Sequence, residues 1–283
     1  MDYWKCGSHQ FDLSKKTLVM GIVNATPDSF SGDGKLGQIA IDSALRMIDD
    51  GADILDIGGE STRPGADKIS AQCEIDRILP LVKVLSQYSI PLSIDTTKAE
   101  VAKAALEHGA SIINDISGGT FDEKMLSLIA STGCGYVIMH LRGTPQTMQW
   151  SEKPDNATKN VIAEIIDFWK IQIESAIKLG VDKTCIALDP GFGFGKSIVE
   201  NMETLRRGKE LGALGHPLLC AVSRKSTIGK ILAIEKPEER IWGSAACAAI
   251  AINNGYNILR VHNVREMKQV AQMADAIGRN HRV

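Results

Sequence analysis

Short apolar, β-branched runs alternate with longer amphipathic stretches almost from one end of the chain to the other, and this alternation restricts the fold more than any other feature. The runs fall at 18–24 (LVMGIVN), 53–57 (DILDI), 91–95 (PLSID), 111–114 (SIIN), 136–140 (YVIMH), 185–189 (CIALD), 217–223 (PLLCAVS) and 257–262 (NILRVH), which makes eight candidate strands. Between them lie helical patterns. Ile75, Ile78, Leu79, Val82 and Leu85 follow the spacing of one buried helix face, and Val161, Ile165, Trp169, Ile173 and Ile177 step by four towards Gly180, a suitable residue just past a helix C-terminus. Strands apolar throughout, each followed by a helix, require a parallel sheet covered on both faces. Eight such units in 283 residues predict an α/β fold, a closed (β/α)8 TIM barrel in a single domain. The competing arrangement is an open doubly wound sheet; the count of eight and the lack of a G-x-G-x-x-G turn after any strand favour the barrel. No linker or repeat divides the chain, so residues 18–283 read as the barrel and 1–17 as an N-terminal arm across its bottom.

Composition removes several function classes. A formal charge of -2 offers no field for nucleic acid, and no apolar stretch is long enough to span a membrane. The first residues lack the apolar core of a secretory signal, which predicts a cytoplasmic protein. Cys6, Cys73, Cys134, Cys185, Cys220 and Cys247 form no Cys-x-x-Cys pair, which argues against zinc and against a disulfide framework. His9, His108, His216 and His281 have no ligand spacing, and neither a G-x-S-x-G elbow nor a cysteine beside a base suggests a covalent nucleophile.

Catalytic groups of such a barrel gather at the C-terminal strand ends. Those positions are Asn24, Gly58-Gly59-Glu60, Asp95, Asn114-Asp115, His140, Asp189, Ser223-Arg224-Lys225, and Arg260 with His262. A single Asp there is as readily a helix cap as a ligand, and Asp115 or Ser223 fits that role; polar residues at seven of eight ends are harder to explain so. Alternation puts Arg260 and His262 on one face of the last strand, and a buried cation pair without an anion is costly, so the pair implies a bound phosphate. The segment DPGFGFGK (189–196) invites a P-loop reading, yet only three residues separate Gly191 from the Gly195-Lys196 pair, one short of that motif. The loops after the first two strands, ATPDSFSGDGKLG and GGESTRPGADKI, are long and rich in Gly, Ser, Thr and Pro, as lids over a substrate are.

Taken in order, MGIVNATPDSFSGDG (20–34), DIGGESTRPGA (56–66), SIDT (93–96), INDISGG (113–119), VIMHLRGTPQTMQ (137–149), DPGFGFGK (189–196), VSRKSTIG (222–229) and LRVHNV (259–264) resemble the dihydropteroate synthase family from about residue 18 to 275. The resemblance implies a transferase of folate biosynthesis, a target of sulfonamides, that condenses 7,8-dihydropterin-6-ylmethyl diphosphate with p-aminobenzoate. It implies Asp95, Asn114, Asp189, Lys225 and Arg260 around the pterin, and Asn24, Arg260 and His262 on the diphosphate, with Asn24 on Mg²⁺. Ser61, Thr62, Arg63, Pro64, Phe194, Lys225 and Ser226 would form the p-aminobenzoate pocket, and Asp95, Lys225, Arg260 and His262 would act in catalysis. A homodimer through the last helices is implied too. One departure stands out: the family's first loop commonly reads Ser-Phe-Ser-Asp-Gly-Gly, whereas here Gly32 precedes Asp33, which puts its pairing with Arg63 in question. The rival readings are a pterin-dependent methyltransferase of the same fold and a catalytically silent pterin-binding homologue.

Overall fold

In the computed structural model, which describes residues 2–25, 35–61, 67–148 and 160–278, the chain starts with a hairpin, β1 (Tyr3–Cys6) and β2 (His9–Asp12). Strand and helix then alternate: β3 (Leu18–Asn24), α1 (Lys35–Asp49), β4 (Ile54–Gly58), α2 (Ala71–Leu85), β5 (Leu92–Asp95), α3 (Ala99–Leu106), β6 (Ile112–Asp115), α4 (Met125–Thr132) and β7 (Gly135–Met139). There follow α5 (Val161–Lys178), β8 (Ile186–Asp189), α6 (Ile198–Arg206), α7 (Gly208–Leu211), β9 (Leu219–Cys220), α8 (Ser226–Leu232), α9 (Ile241–Asn253), β10 (Ile258–Val261) and α10 (Val264–Gly278). Strands β3 to β10 form one eight-stranded sheet in the order β8-β7-β6-β5-β4-β3-β10-β9, every pair parallel. A parallel bridge between Leu188 and Leu218 closes it into the expected barrel.

Alternation along the strands builds two cores. Val19, Leu55, Ile94, Ile113, Ile138 and Leu188 point outward into the layer shared with the helices. Leu18, Met20, Ile54, Ile112, Val137, Ala187, Leu219 and Ile258 point inward and fill the lower barrel, where Trp4, Cys6 and Leu13 from the N-terminal segment join them. Trp4 is fully buried, stacks on Phe11 with ring centroids 5.9 Å apart, and donates its indole N–H to the Cys185 carbonyl at 2.8 Å. The hairpin therefore plugs the bottom, and the inward positions higher on the strands bring in the polar residues Asp56, Asp95, Asn114, Asp189 and Arg260 beside Ile22 and Met139.

Two elements depart from the sequence expectation. The seventh strand is two residues long rather than seven, because the chain turns out of the sheet at Val222: Lys225 N–H donates to the Val222 carbonyl at 3.1 Å, and Arg224 sits at φ +60°. The stripe on α5 also drifts. Steps of four overshoot the helical repeat by about 40° each, so Ile177 ends up 46% exposed and Ala176 is the buried residue of that turn. By contrast Ile75, Ile78, Val82 and Leu85 are buried on α2, which Ser70 starts by accepting the Cys73 N–H.

Because Trp4 fills the barrel floor far from the strand ends that carry the polar residues, Trp4→Ala should lower unfolding stability by about 3–5 kcal/mol. Urea denaturation checks the loss, and steady-state kinetics should show substrate KM values unchanged.

Candidate functional site

Register fixes which side chains share a level of the barrel. Asn24 pairs with Gly58, Gly58 with Asp95 and Asp95 with Asn114, so these stand in one row at the mouth. One step lower, Asp56 pairs with Ser93, and β10 brings Arg260 to the level of Met20. From there the guanidinium reaches upward. Its Nε donates to Asp56 Oδ2 at 2.6 Å and an Nη to Asp95 Oδ2 at 2.7 Å; Asn114 Nδ2 donates to the same Asp56 oxygen at 3.2 Å. Burial opposes the charge on Arg260, but Asp56 and Asp95 outweigh it and raise its pKa. Asp95 titrates above the usual carboxylate range, first because it is buried and then because Asp56 lies close, with Arg260 opposing.

The premise of one inference from sequence fails: Arg260 already has protein anions for partners, two carboxylates inside the barrel, so its burial does not by itself require a phosphate. Asp56 was missed, although the signal was present. It sits between Leu55 and Ile57 in the run DILDI with the inward parity of Ile54 and Gly58, and a carboxylate there must be paired.

Asp189 accepts the Gly191 N–H at 2.7 Å and is pushed up in pKa by burial, with Lys225 opposing. Lys225 lies just before α8; its ammonium sits 4.0 Å from the centre of the Phe194 ring, and burial pulls its pKa down to about 8. Phe194 packs in a small apolar cluster with Ile116, Met139 and Met148. Ser226 opens α8, and its Oγ is a buried atom with no hydrogen-bond partner among the described residues. His262 is held twice by Ser223: its backbone N–H donates to Oγ at 3.2 Å, and Oγ lies 2.9 Å from Nδ1. Where that hydroxyl donates to Nδ1 while accepting from the backbone, a neutral ring carries its proton on Nε2. Ser223 is thus more than a cap. The left-handed backbone of Arg224 between them, braced by Asn263 Oδ1 at 2.8 Å, lets Ser223 and Lys225 both serve the site.

Two ring members fall outside. Asp115 has the opposite parity to Asn114, and its carboxylate accepts the N–H groups of Ser117 and Gly119 and the hydroxyls of Ser117 and Tyr136, so it shapes a turn. His140, one residue beyond inward-facing Met139, turns to α5, where Nε2 lies 3.4 Å from Glu164 and the ring meets Phe168 edge-on. Burial lowers its pKa to about 4. Thr62, Arg63 and Pro64, with Asp33, lie outside the described residues. Ser61 is described and lines a pocket with Glu60, Lys68, Asp95, Ile116 and Phe121. Glu60 anchors that loop by accepting the Ile69 N–H at 2.8 Å and the Lys98 ammonium at 3.1 Å, a contact that pattern reading did not foresee.

The DPGFGFGK segment is no phosphate cradle. A P-loop turns its N–H groups to the ligand, whereas here the Gly191 N–H goes to Asp189, Gly193 N–H to Asn201 Oδ1 at 2.7 Å, and Phe194 N–H to the Gly191 carbonyl. Its glycines admit a neighbouring chain: a Cβ at Gly191, which has φ +68°, would lie 1.9 Å from the His140 carbonyl oxygen.

A family model described as pterin binding enzyme matches residues 20–262. A dihydropteroate synthase of Synechocystis sp. is 46% identical over 278 residues, covering 96% of this chain and 94% of that protein. The chain belongs to the dihydropteroate synthase family. Two solved structures agree. A dihydropteroate synthase from Clostridium difficile, determined in the presence of pteroic acid, is 45% identical with a TM-score of 0.88, covering 95% of this chain and 99% of that one. The Yersinia pestis dihydropteroate synthase in a sulfonamide drug complex is 40% identical with a TM-score of 0.90, covering 97% and 98%. These relatives are transferases of the family's reaction and do not favour the methyltransferase.

Since Asp56 raises the pKa of Asp95 and shares its arginine, an Asp56→Asn chain should titrate Asp95 at lower pH. Carboxyl-carbon NMR of Asp95 reads this; an unmoved titration would show that the two carboxylates are not coupled.

Proposed function

We propose that this chain joins 7,8-dihydropterin-6-ylmethyl diphosphate to p-aminobenzoate, releasing 7,8-dihydropteroate and diphosphate, through a dissociative displacement at the barrel mouth. What carries the reading is the layered charge of the mouth: carboxylates at Asp56, Asp95 and Asp189 beneath, and the cations Lys225 and Arg260 with the His262 imidazole beside them. The acids suit the N–H-rich edge of a pterin, with Asn114 supplying the complementary amide. Its reacting methylene, once diphosphate departs, is a cation that the Asp95 carboxylate stabilises from nearby. Arg260 and the Nε2–H of His262 stabilise the departing diphosphate. The arylamine attacks the methylene, which forms the C–N bond and sheds one proton; no protein nucleophile is needed.

Mg²⁺ belongs to this proposal as the counter-ion of the diphosphate. Among the described residues no cluster of three or more His, Cys, Asp or Glu could cage a metal. Asn24 at the rim provides one amide oxygen, which suits an ion that keeps several waters and binds mainly through substrate phosphates. For p-aminobenzoate the proposed wall is Ser61, Phe194, Lys225 and Ser226; the Lys225 ammonium against the Phe194 ring and the unpartnered Ser226 Oγ, which suits the carboxylate, support it. Thr62, Arg63 and Pro64 complete the pocket in this reading. Sulfonamides, bound by the Yersinia relative, should compete there.

A homodimer is also proposed. Trp242 and Ile250 on α9 and Met273 and Ile277 on α10 are large apolar side chains left exposed, and they favour a second copy on these helices. Sedimentation should then give twice the 30.6 kDa chain mass. Among the described residues no helix is long and apolar enough to cross a membrane, and the reading places the enzyme in the cytoplasm.

The first test is product formation from both substrates with Mg²⁺, identified by mass and inhibited by a sulfonamide in competition with p-aminobenzoate. Pterin binding without product would overturn the reading in favour of a silent homologue. In an Asp95→Asn chain, single-turnover release of diphosphate should slow by about a hundredfold or more. A lysine is charged below its pKa, so Lys225 binds anions best below about pH 8. Above that, KM for p-aminobenzoate should climb by about tenfold per pH unit, a rise that a pH series of initial rates would detect.

A further inference from the structure

We infer that Lys196 and Asn201, which line neither substrate, are positioning residues for p-aminobenzoate: from below and behind they set the Phe194 ring against the Lys225 ammonium. This rests on the activity proposed above. Lys196 is a buried lysine, 1% exposed, whose ammonium donates to three backbone carbonyls, those of Gly191 at 3.1 Å, His140 at 3.2 Å and Phe194 at 3.3 Å. Two of these belong to the loop after β8 and one to the end of β7, so a single cation draws the loop down onto the neighbouring strand. Burial lowers its pKa to about 7, with Arg142 adding to the effect and Asp189 opposing it. An apolar side chain would fill the same space without that desolvation penalty. What the ammonium adds is the fixed place of the Phe194 and Gly191 carbonyls.

Asn201, fully buried on α6, fixes the loop from the other side. Its Oδ1 accepts the Gly193 N–H at 2.7 Å, and its Nδ2 donates to the Lys196 carbonyl at 3.2 Å and to Thr227 Oγ1 at 3.1 Å. Thr227 is the second residue of α8, directly after Lys225 and Ser226. One amide therefore ties the segment that carries Phe194 to the helix start that carries Lys225, whose ammonium rests 4.0 Å from that ring. Gly195 is held as well, through its carbonyl, by Arg142 at 3.2 Å, and Arg142 is itself fixed between Glu164 and Glu200.

Steady-state kinetics of the full chain with both substrates, sulfonamide inhibition and thermal unfolding of wild type, Lys196→Met and Thr227→Val test this. Thr227→Val keeps the side-chain shape and removes only the hydroxyl that Asn201 reaches. It should raise KM for p-aminobenzoate and the sulfonamide inhibition constant by about tenfold, while kcat and the dihydropterin KM stay within about twofold. Lys196→Met should raise the same two constants at least as far. A folded Thr227→Val chain with unchanged KM for p-aminobenzoate overturns the inference, as does a uniform loss of kcat in both variants that tracks the folded fraction. Should Lys196→Met fail to fold, the valine variant still decides. A wild-type chain that makes no dihydropteroate sinks the activity reading and this inference together, whereas an active wild type with flat variant KM values sinks this one alone.

Discussion

A guanidinium held between two carboxylates inside a parallel barrel is the arrangement on which the rest of the mouth depends. Arg260 cannot be buried alone, and Asp56 and Asp95 cannot be buried side by side without it. Each therefore fixes the others, and Asn114 is drawn into the same set through Asp56. The strands supply the geometry: β4, β5, β6 and β10 place these residues at successive levels because their registers are offset. Such a set is preorganised for a reaction that develops positive charge on one substrate fragment and negative charge on the other.

The barrel divides its interior to make this affordable. Below, Trp4 and Leu13 join Leu18, Met20 and Ile54 in an apolar floor. Above, Arg260 is paired with Asp56 and Asp95, with the Phe194 cluster as an apolar shelf. Stability thus comes from one end and chemistry from the other, the division expected where catalytic groups sit on strand C-termini. A further set of part-buried ion pairs ties loops to helices: Lys98 joins Glu60 to Glu74, and Arg142 joins Glu164 to Glu200.

Much of the fold was legible because a fully buried parallel strand leaves a continuous apolar run, and eight such runs have few arrangements. The errors have local causes. The strand at 217–223 looked long because its apolar residues continue past the last paired residue, Cys220, through Ala221 and Val222, which pack rather than pair. His140 and Asp115 looked like members of the ring because strand ends are polar for two reasons, substrate contact and turn formation, and only parity separates them. Asn114 faces inward and Asp115 outward by that rule. Asp56 shows the reverse failure: parity was available, but the search stopped at strand ends. The partner of a buried charge cannot be found by spacing when it lies 204 residues away, as Asp56 does from Arg260.

The glycine-rich segment shows why a motif is better judged by where its donors point than by its letters. Three glycines, a lysine and a serine are shared with a phosphate cradle, yet a cradle needs outward N–H groups and an outward ammonium. Here Asp189 and Asn201 consume N–H groups of the loop, and three carbonyls turned inward consume the ammonium of Lys196. The loop's polarity is inverted relative to an anion site. Its contribution to the mouth is then the Phe194 ring, which lies against the Lys225 ammonium at 4.0 Å. In the proposed reading, that ring beside the Lys225 ammonium is the surface for a flat, anionic arene, and the inward-turned backbone around Lys196 is what would hold it in place.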